Sequence, residues 1–365
     1  MRVNGAVKSI DRVRWQSMRW LKGLKIAVIN SSHPSYNLAA WRILNYCRSE
    51  GVETSYSGRA DMWTVGVDKA YFSVIFTWDL PELCHDVNLL RTLGIEIEIG
   101  GPAATAMPQY IVEHTGLIPH VGLDERFEHV PGSYAMTFTS RGCIMRCPWC
   151  IVHKVEPNRV EYDDFPIPVG KNPFIGDNCI LATSWGHQEL VVEKMKDVRW
   201  LDINSGFDCR LFTEEHYQLY SRLHLEAWRL AFDSMGVESA FERAVGILKK
   251  HGVDYRRILV FCLIGFPGTT FDECVYRLEK TRALGCSPYP QKYAPLDTVD
   301  ARDYVAPGFE KERLDTLRAY WCNPFAWRTC TFKEFSLKYK PEPEIEGKRE
   351  LFDESHKSWS KEGEF

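Results

Sequence analysis

The sequence has no apolar run approaching the roughly 18 residues that a membrane-crossing helix needs, and its first 25 residues hold no apolar secretory core. It also lacks the basic excess of a nucleic-acid coat. Lys and Arg number 45 against 49 Asp and Glu, a formal net charge of −4, so any nucleic-acid contact must be local. No Gly-x-Gly-x-x-Gly follows the first expected strand, which argues against a dinucleotide. Twelve cysteines are present, but in a chain of 365 residues without a secretory signal they predict reduced thiols and a cytoplasmic protein with no membrane partner. What is there, 45 % hydrophobic and 26 % charged residues, describes a folding chain of two or three domains.

Residues 1–23 read as a basic amphipathic helix, with Val7, Ile10, Val13, Met18 and Leu21 at helical spacing among arginines and lysines. From Lys25 an alternation of apolar strands and amphipathic helices begins: strands at Ile26–Asn30, Phe72–Trp78 and Ile95–Gly100, helices over Leu38–Glu50 and after Pro81. Such a pattern predicts a Rossmann-like parallel sheet over residues 24–125, with a crevice near Asn30–Tyr36, Trp78-Asp79 and Gly100–Thr105. A second α/β alternation follows over 130–335. Strands are expected at Tyr134–Thr139, Cys179–Trp185, Trp200–Asn204, Ala227–Asp233, Ile258–Ile264 and Pro288–Tyr293. Helices near 188–197, 213–223, 237–251, 271–285 and 310–321 complete six β/α units, a partial (β/α)6 barrel with its chemistry at the strand C-termini. Residues 340–365 read as a mobile charged tail.

Nine cysteines are scattered singly; the other three stand together in Thr139-Ser140-Arg141-Gly142-Cys143-Ile144-Met145-Arg146-Cys147-Pro148-Trp149-Cys150. Three thiolates on one loop can hold an iron–sulfur cubane and leave one iron open for a small chelating ligand. The competing reading is a zinc site completed by His153. Further polar or glycine-bearing stretches fall at the expected strand ends: Ser184-Trp185-Gly186-His187, Asn204-Ser205-Gly206-Phe207-Asp208-Cys209-Arg210, Asp233-Ser234 and Gly265-Phe266-Pro267-Gly268. Arg210 can grip a carboxylate bidentately or simply pair with Asp208, and Asp233 can bond hydroxyls or cap the next helix.

The Cys-x3-Cys-x-aromatic-Cys loop after the first strand of a β/α barrel resembles the signature of the radical S-adenosylmethionine (radical SAM) superfamily. That resemblance implies that Cys143, Cys147 and Cys150 bind a [4Fe–4S] cluster whose open iron chelates S-adenosylmethionine, with Trp149 near the adenine. It further implies cofactor contacts from Gly186, Asn204, Asp208, Arg210, Asp233, Ser234, Gly265 and Phe266, and an electron donor such as flavodoxin or ferredoxin. Phe207–Glu214 and Trp321–Phe335 look similar to stretches of a poorly characterised, partly phage-borne radical SAM group. The N-terminal layout resembles a degenerate cobalamin-binding domain, but the Asp-x-His-x-x-Gly loop that supplies an axial histidine is absent. Expected, then, is an enzyme that generates a 5′-deoxyadenosyl radical to abstract hydrogen from its substrate. Its alternatives are a cobalamin-dependent radical SAM methyltransferase and a non-catalytic zinc- or Fe–S-stabilised binding module. The substrate is not legible; the basic N-terminal helix, Arg256-Arg257 and the aromatic segment Trp321–Phe335 would suit a nucleotide or nucleic acid, or be surface and core.

Overall fold

The computed structural model describes residues 23–339. The basic stretch 1–23 and the tail 340–365 lie outside the described residues, Gly23 excepted.

The chain is a mixed α/β protein built on parallel sheets. Strand β1 (Lys25–Asn30) is apolar on both sides, and its period of two sorts Ile26 and Val28 to one face and Ala27 and Ile29 to the other. Helix α1 (Leu38–Ser49) covers the first face and begins where the Asn37 side chain accepts the Ala40 N–H. There follow β2 (Glu53–Ser57), β3 (Lys69–Ser73), α2 (Leu80–Thr92) and β4 (Glu96–Gly100). Next come α3 (Pro102–Ala106), α4 (Pro108–Thr115) and α5 (Glu125–Glu128). The sheet order is β2-β1-β3-β4, all parallel. Strand β2, Glu-Thr-Ser-Tyr-Ser, has no apolar signature because it lies at an edge. The expected strand Phe72–Trp78 ends at Ser73, and Thr77–Asp79 form a single 3-10 turn that launches α2. Gly101, at φ +113°, passes so near Val74 that an added Cβ would stand 2.3 Å from its carbonyl oxygen, so only glycine turns the chain there.

The second region begins with β5 (Met136–Thr137) and the antiparallel pair β6 (Ser140–Arg141) and β7 (Val160–Glu161), which flank α6 (Val152–Val155). Then come β8 (Phe174–Ile175), α7 (Trp185–Met195), β9 (Arg199–Ile203), α8 (Glu214–Tyr220), β10 (His224–Leu225) and β11 (Trp228–Ala231). The rest is α9 (Glu238–Lys250), β12 (Ile258–Ile264), α10 (Phe271–Ala283), β13 (Ser287–Lys292), α11 (Lys311–Cys322), α12 (Ala326–Thr329) and α13 (Phe332–Lys338). Two parallel sheets result, β10-β9-β8-β5 and β11-β12-β13, over one continuous apolar core. One backbone bond outside the ladders bridges the two sheets: Phe207 N–H, after β9, donates to Arg229 O of β11.

One expected strand is displaced. The segment Cys179–Trp185 is not extended; Ile180–Ala182 make a 3-10 turn and the Ser184 hydroxyl caps α7 by accepting the His187 N–H. A short apolar run such as Cys-Ile-Leu-Ala does not distinguish a buried strand from a buried helical turn. The true strand, β8, lies five residues upstream and is followed by Gly176, where a Cβ would collide with Met136 Cε at 2.1 Å.

The C-terminal edge of the first sheet abuts the second region. The Tyr36 hydroxyl accepts the Ala135 N–H at 3.2 Å and its ring meets Phe174 edge-on. Helix α3 packs on α6, and Trp78 lies beneath the Arg302 guanidinium, 5.2 Å away, on the loop after β13. Among the described residues no helix is long and apolar enough to cross a membrane.

Candidate metal centre

The cysteine loop leaves β6 through Gly142, whose φ of +75° and close approach to Asn158 O, 2.4 Å from an added Cβ, force the turn. Met145 N–H then donates to Cys143 Sγ at 3.3 Å and Cys150 N–H to Cys147 O at 3.0 Å. The loop is thereby folded on itself with all three thiols half-buried. A fourth cysteine joins it. Cys179, in the turn after β8, hydrogen-bonds the Cys143 sulfur; its thiol is raised well above its usual range by that bond, while the bond holds the Cys143 thiol below its own. Burial raises the Cys150 thiol.

Among the described residues no three His, Cys, Asp or Glu side chains are gathered tightly enough to hold a single metal ion. A tetrahedral zinc site with 2.3 Å Zn–S bonds needs such a gathering, and His153 Nδ1, buried, makes no hydrogen bond. A cubane places its thiolates further apart, one on each iron it binds; Cys143, Cys147 and Cys150 would be the soft donors this loop offers it.

Cationic and aromatic groups from the following strands reach the same loop. After β9, Arg210 lies 3.5 Å from Cys147 Sγ through Nη2 while its Nε bonds Asp208 Oδ1 at 2.9 Å. Those Asp208 bonds raise the guanidinium pKa further. The structural reading of Arg210 holds: it is paired with Asp208, and the pair brings its Nη2 to Cys147 of the cysteine loop. After β11, Asp233 caps no helix. Its Oδ1 accepts the Leu263 N–H of the neighbouring strand at 3.0 Å, and burial pushes its carboxyl up to about 6. After β12, Gly265 adopts φ +74° and Phe266 meets Trp149 of the cysteine loop edge to face, 5.5 Å between centroids. Phe266 also meets Tyr293, after β13, at 4.9 Å. Ser234 and the exposed Asn204 stand at the same strand ends without a side-chain bond to the loop.

Gly186 occupies the first turn of α7 with nothing within 4 Å of where a Cβ would be. Arg256 pairs with Asp254, and Arg257 donates to Leu225 O at the opposite, N-terminal ends of the strands, beside a cleft of about 320 Å³ lined by Tyr217, Trp228 and His251. Trp321 and Trp327 are buried core.

Several contributors had no sequence signal. Asp177, fully buried, accepts the Thr139 N–H at 2.6 Å and the hydroxyls of Thr139 and Ser140, while Thr139 also contacts His187. Its partner set draws β5, β6 and α7 together beneath the cysteine loop. Cys179 looks like any isolated core cysteine until the fold brings it to Cys143. No protein family's model matches this chain, and no curated protein matches it.

Proposed function

We propose that the chain is a radical SAM enzyme: the two sheets of the second region act as one open (β/α)6 barrel behind a Rossmann-like N-terminal domain. The carrying observation is the convergence, at one set of strand ends, of three loop thiols, a guanidinium at Cys147 and the Trp149–Phe266 pair. The bridging bond from Phe207 N–H to Arg229 O supports continuity of the barrel.

When bound, the cluster and S-adenosylmethionine supply a 5′-deoxyadenosyl radical through one-electron reduction and cleavage of the sulfonium. The chain's own residues hold, orient and shield. Cys143, Cys147 and Cys150 would each hold one iron of the cluster. Arg210, held by Asp208 through Nε and Nη2, keeps Nη1 to donate to a carboxylate. Trp149 and Phe266 give a flat base two aromatic walls, and the Cβ-free Gly265 lets it approach the backbone. Asp233 accepts hydroxyl donors at its free oxygen. The crevice of the N-terminal domain is taken up by contacts through Tyr36, Trp78 and α3, which supports a domain that shapes the substrate mouth.

The test is anaerobic reconstitution followed by reduction with dithionite in the presence of S-adenosylmethionine. About four irons per chain and release of 5′-deoxyadenosine are expected, and both are lost in Cys147→Ala. Full iron content in that variant would sink the assignment.

A further inference from the structure

A line of buried charges runs from the N-terminal sheet to the cysteine loop. Arg42 on α1 donates through Nη1 to Glu128 Oε2 at 2.7 Å, and Glu128, the last residue of α5, also receives Arg141 through Nε at 2.9 Å and Nη2 at 2.8 Å. These three residues are 4 %, 8 % and 7 % exposed. Arg141 Nη1 continues to Glu156 Oε1 at 3.1 Å. Glu156 ends the line, and its Oε2 accepts two donors: the Gly142 N–H at 2.9 Å and the Asn178 side-chain amide at 2.6 Å. Gly142 and Asn178 are the residues immediately before Cys143 and Cys179. Signs alternate along the line, so each buried charge is compensated only while its neighbours stay in place.

We propose that Arg42 is a positioning residue for the cysteine loop, acting from the N-terminal region through Glu128, Arg141 and Glu156. The loop has little ladder of its own, since β6 and β7 are two residues each. Glu156 therefore fixes the two sulfurs Cys143 and Cys179 relative to each other, and Arg42 fixes Arg141 from the far side of the domain contact. An apolar pair could fill the same space, but it would not set one register. The metal-binding consequence rests on the cluster reading of Cys143; the positioning itself does not.

The experiment separates the two. In metal-free, reduced protein, the rate of iodoacetamide alkylation at Cys143, Cys147 and Cys150 is mapped by peptide mass spectrometry for wild type, Arg42→Met, Arg42→Lys and Arg59→Met. Arg59, also in the N-terminal region, pairs with Asp86 and has no bond to the loop. Circular dichroism at the working temperature establishes that each variant is folded. Alkylation of Cys143 should rise at least threefold in Arg42→Met, fall back toward wild type in Arg42→Lys and stay at wild type in Arg59→Met. Equal rates in wild type and folded Arg42→Met would overturn the proposal, as would an equal rise in Arg59→Met. Should Arg42→Met not fold, Arg42→Lys against wild type carries the test: a shorter, single-point donor restores only part of the contact, so its rate must lie measurably above wild type, and an unchanged rate overturns the proposal. After reconstitution, Arg42→Met should also hold less than half the iron of wild type. If wild type itself takes up no iron while the alkylation pattern holds, the cluster reading fails and the positioning role stands.

Discussion

In the N-terminal sheet every strand runs five or six residues and pairs in unbroken register, whereas β5 to β8, which surround the cysteine loop, are two residues each. The difference is one of what does the holding. In the first sheet the ladder and two apolar faces suffice, and its few buried polar groups, such as Asn30, Asn37 and Ser73, satisfy one another at the strand ends. Around the cysteines the backbone must turn too often for a ladder, and buried carboxylates replace it: Asp177 beneath the loop, Glu156 beside it. The cysteine loop is thus fixed by acceptors aimed at backbone N–H groups and depends on a handful of side chains.

Removing one acceptor from each region measures that dependence. Asp177→Ala strands the Thr139 N–H and two hydroxyls in a dry site, and should lower stability by about 3–5 kcal/mol. Asn37→Ala, which loses a helix cap and the bonds to Asn30 and Ser73, should cost about 1–2 kcal/mol. Urea midpoints of the two variants decide it; equal losses would mean that the short strands are not held by their carboxylates.

Glycines reverse the ranking. A Cβ at Gly101 meets Val74 O, at 2.3 Å, on a backbone at φ +113°, and neither atom can step aside. At Gly206 the φ is +77° and the clash with Arg229 O is milder, 2.8 Å. Gly101→Ala should therefore cost about 3 kcal/mol and Gly206→Ala about 2 kcal/mol. Thermal unfolding of the pair checks the order, and the opposite order would place the tighter turn in the second region.

The same contrast explains what could be read in advance. Strands such as Lys25–Asn30 and Ile258–Ile264 announce themselves as apolar runs, and the cysteine triplet by its spacing. Strand β8 could not be read: Phe174-Ile175 is too short to show a period, and the louder run at Cys179–Ala182 is a buried turn. Cys179, Asp177 and Glu156 act through residues 36, 38 and 14 positions away, at Cys143, Thr139 and Gly142, and no local pattern marks such a partner.

Acidity probes the strand ends from a third side. Burial raises the folded carboxyl of Asp233 to about 6, above the ordinary carboxylate value it has when unfolded. Protonated Asp233 is therefore favoured by the fold; that contribution is complete below about pH 4 and is lost as pH climbs through about 6. Asp233→Asn keeps an acceptor for Leu263 N–H and removes the titration. The stability of the variant relative to wild type should rise by about 1–3 kcal/mol between pH 4 and pH 7, the lower part of that range reflecting solvent at this partly buried site. A difference independent of pH would show that Asp233 is ionised without penalty.

The smallest effect concerns Gly186, which the sequence suggests as a cofactor contact and the fold puts in the first turn of α7. There its missing Cβ faces open space, so no close approach requires glycine. Alanine adds helix propensity at a near-terminal position, and Gly186→Ala should stabilise the protein by about 0.5 kcal/mol. Gly265 supplies the contrast: it is buried at φ +74°, and a Cβ would press on Leu314 Cδ1 at 3.0 Å. Isothermal titration of the reconstituted protein with S-adenosylmethionine should thus find wild-type affinity in Gly186→Ala and weakened binding in Gly265→Ala. Loss of affinity in Gly186→Ala alone would favour the sequence reading and place the ligand toward the start of α7.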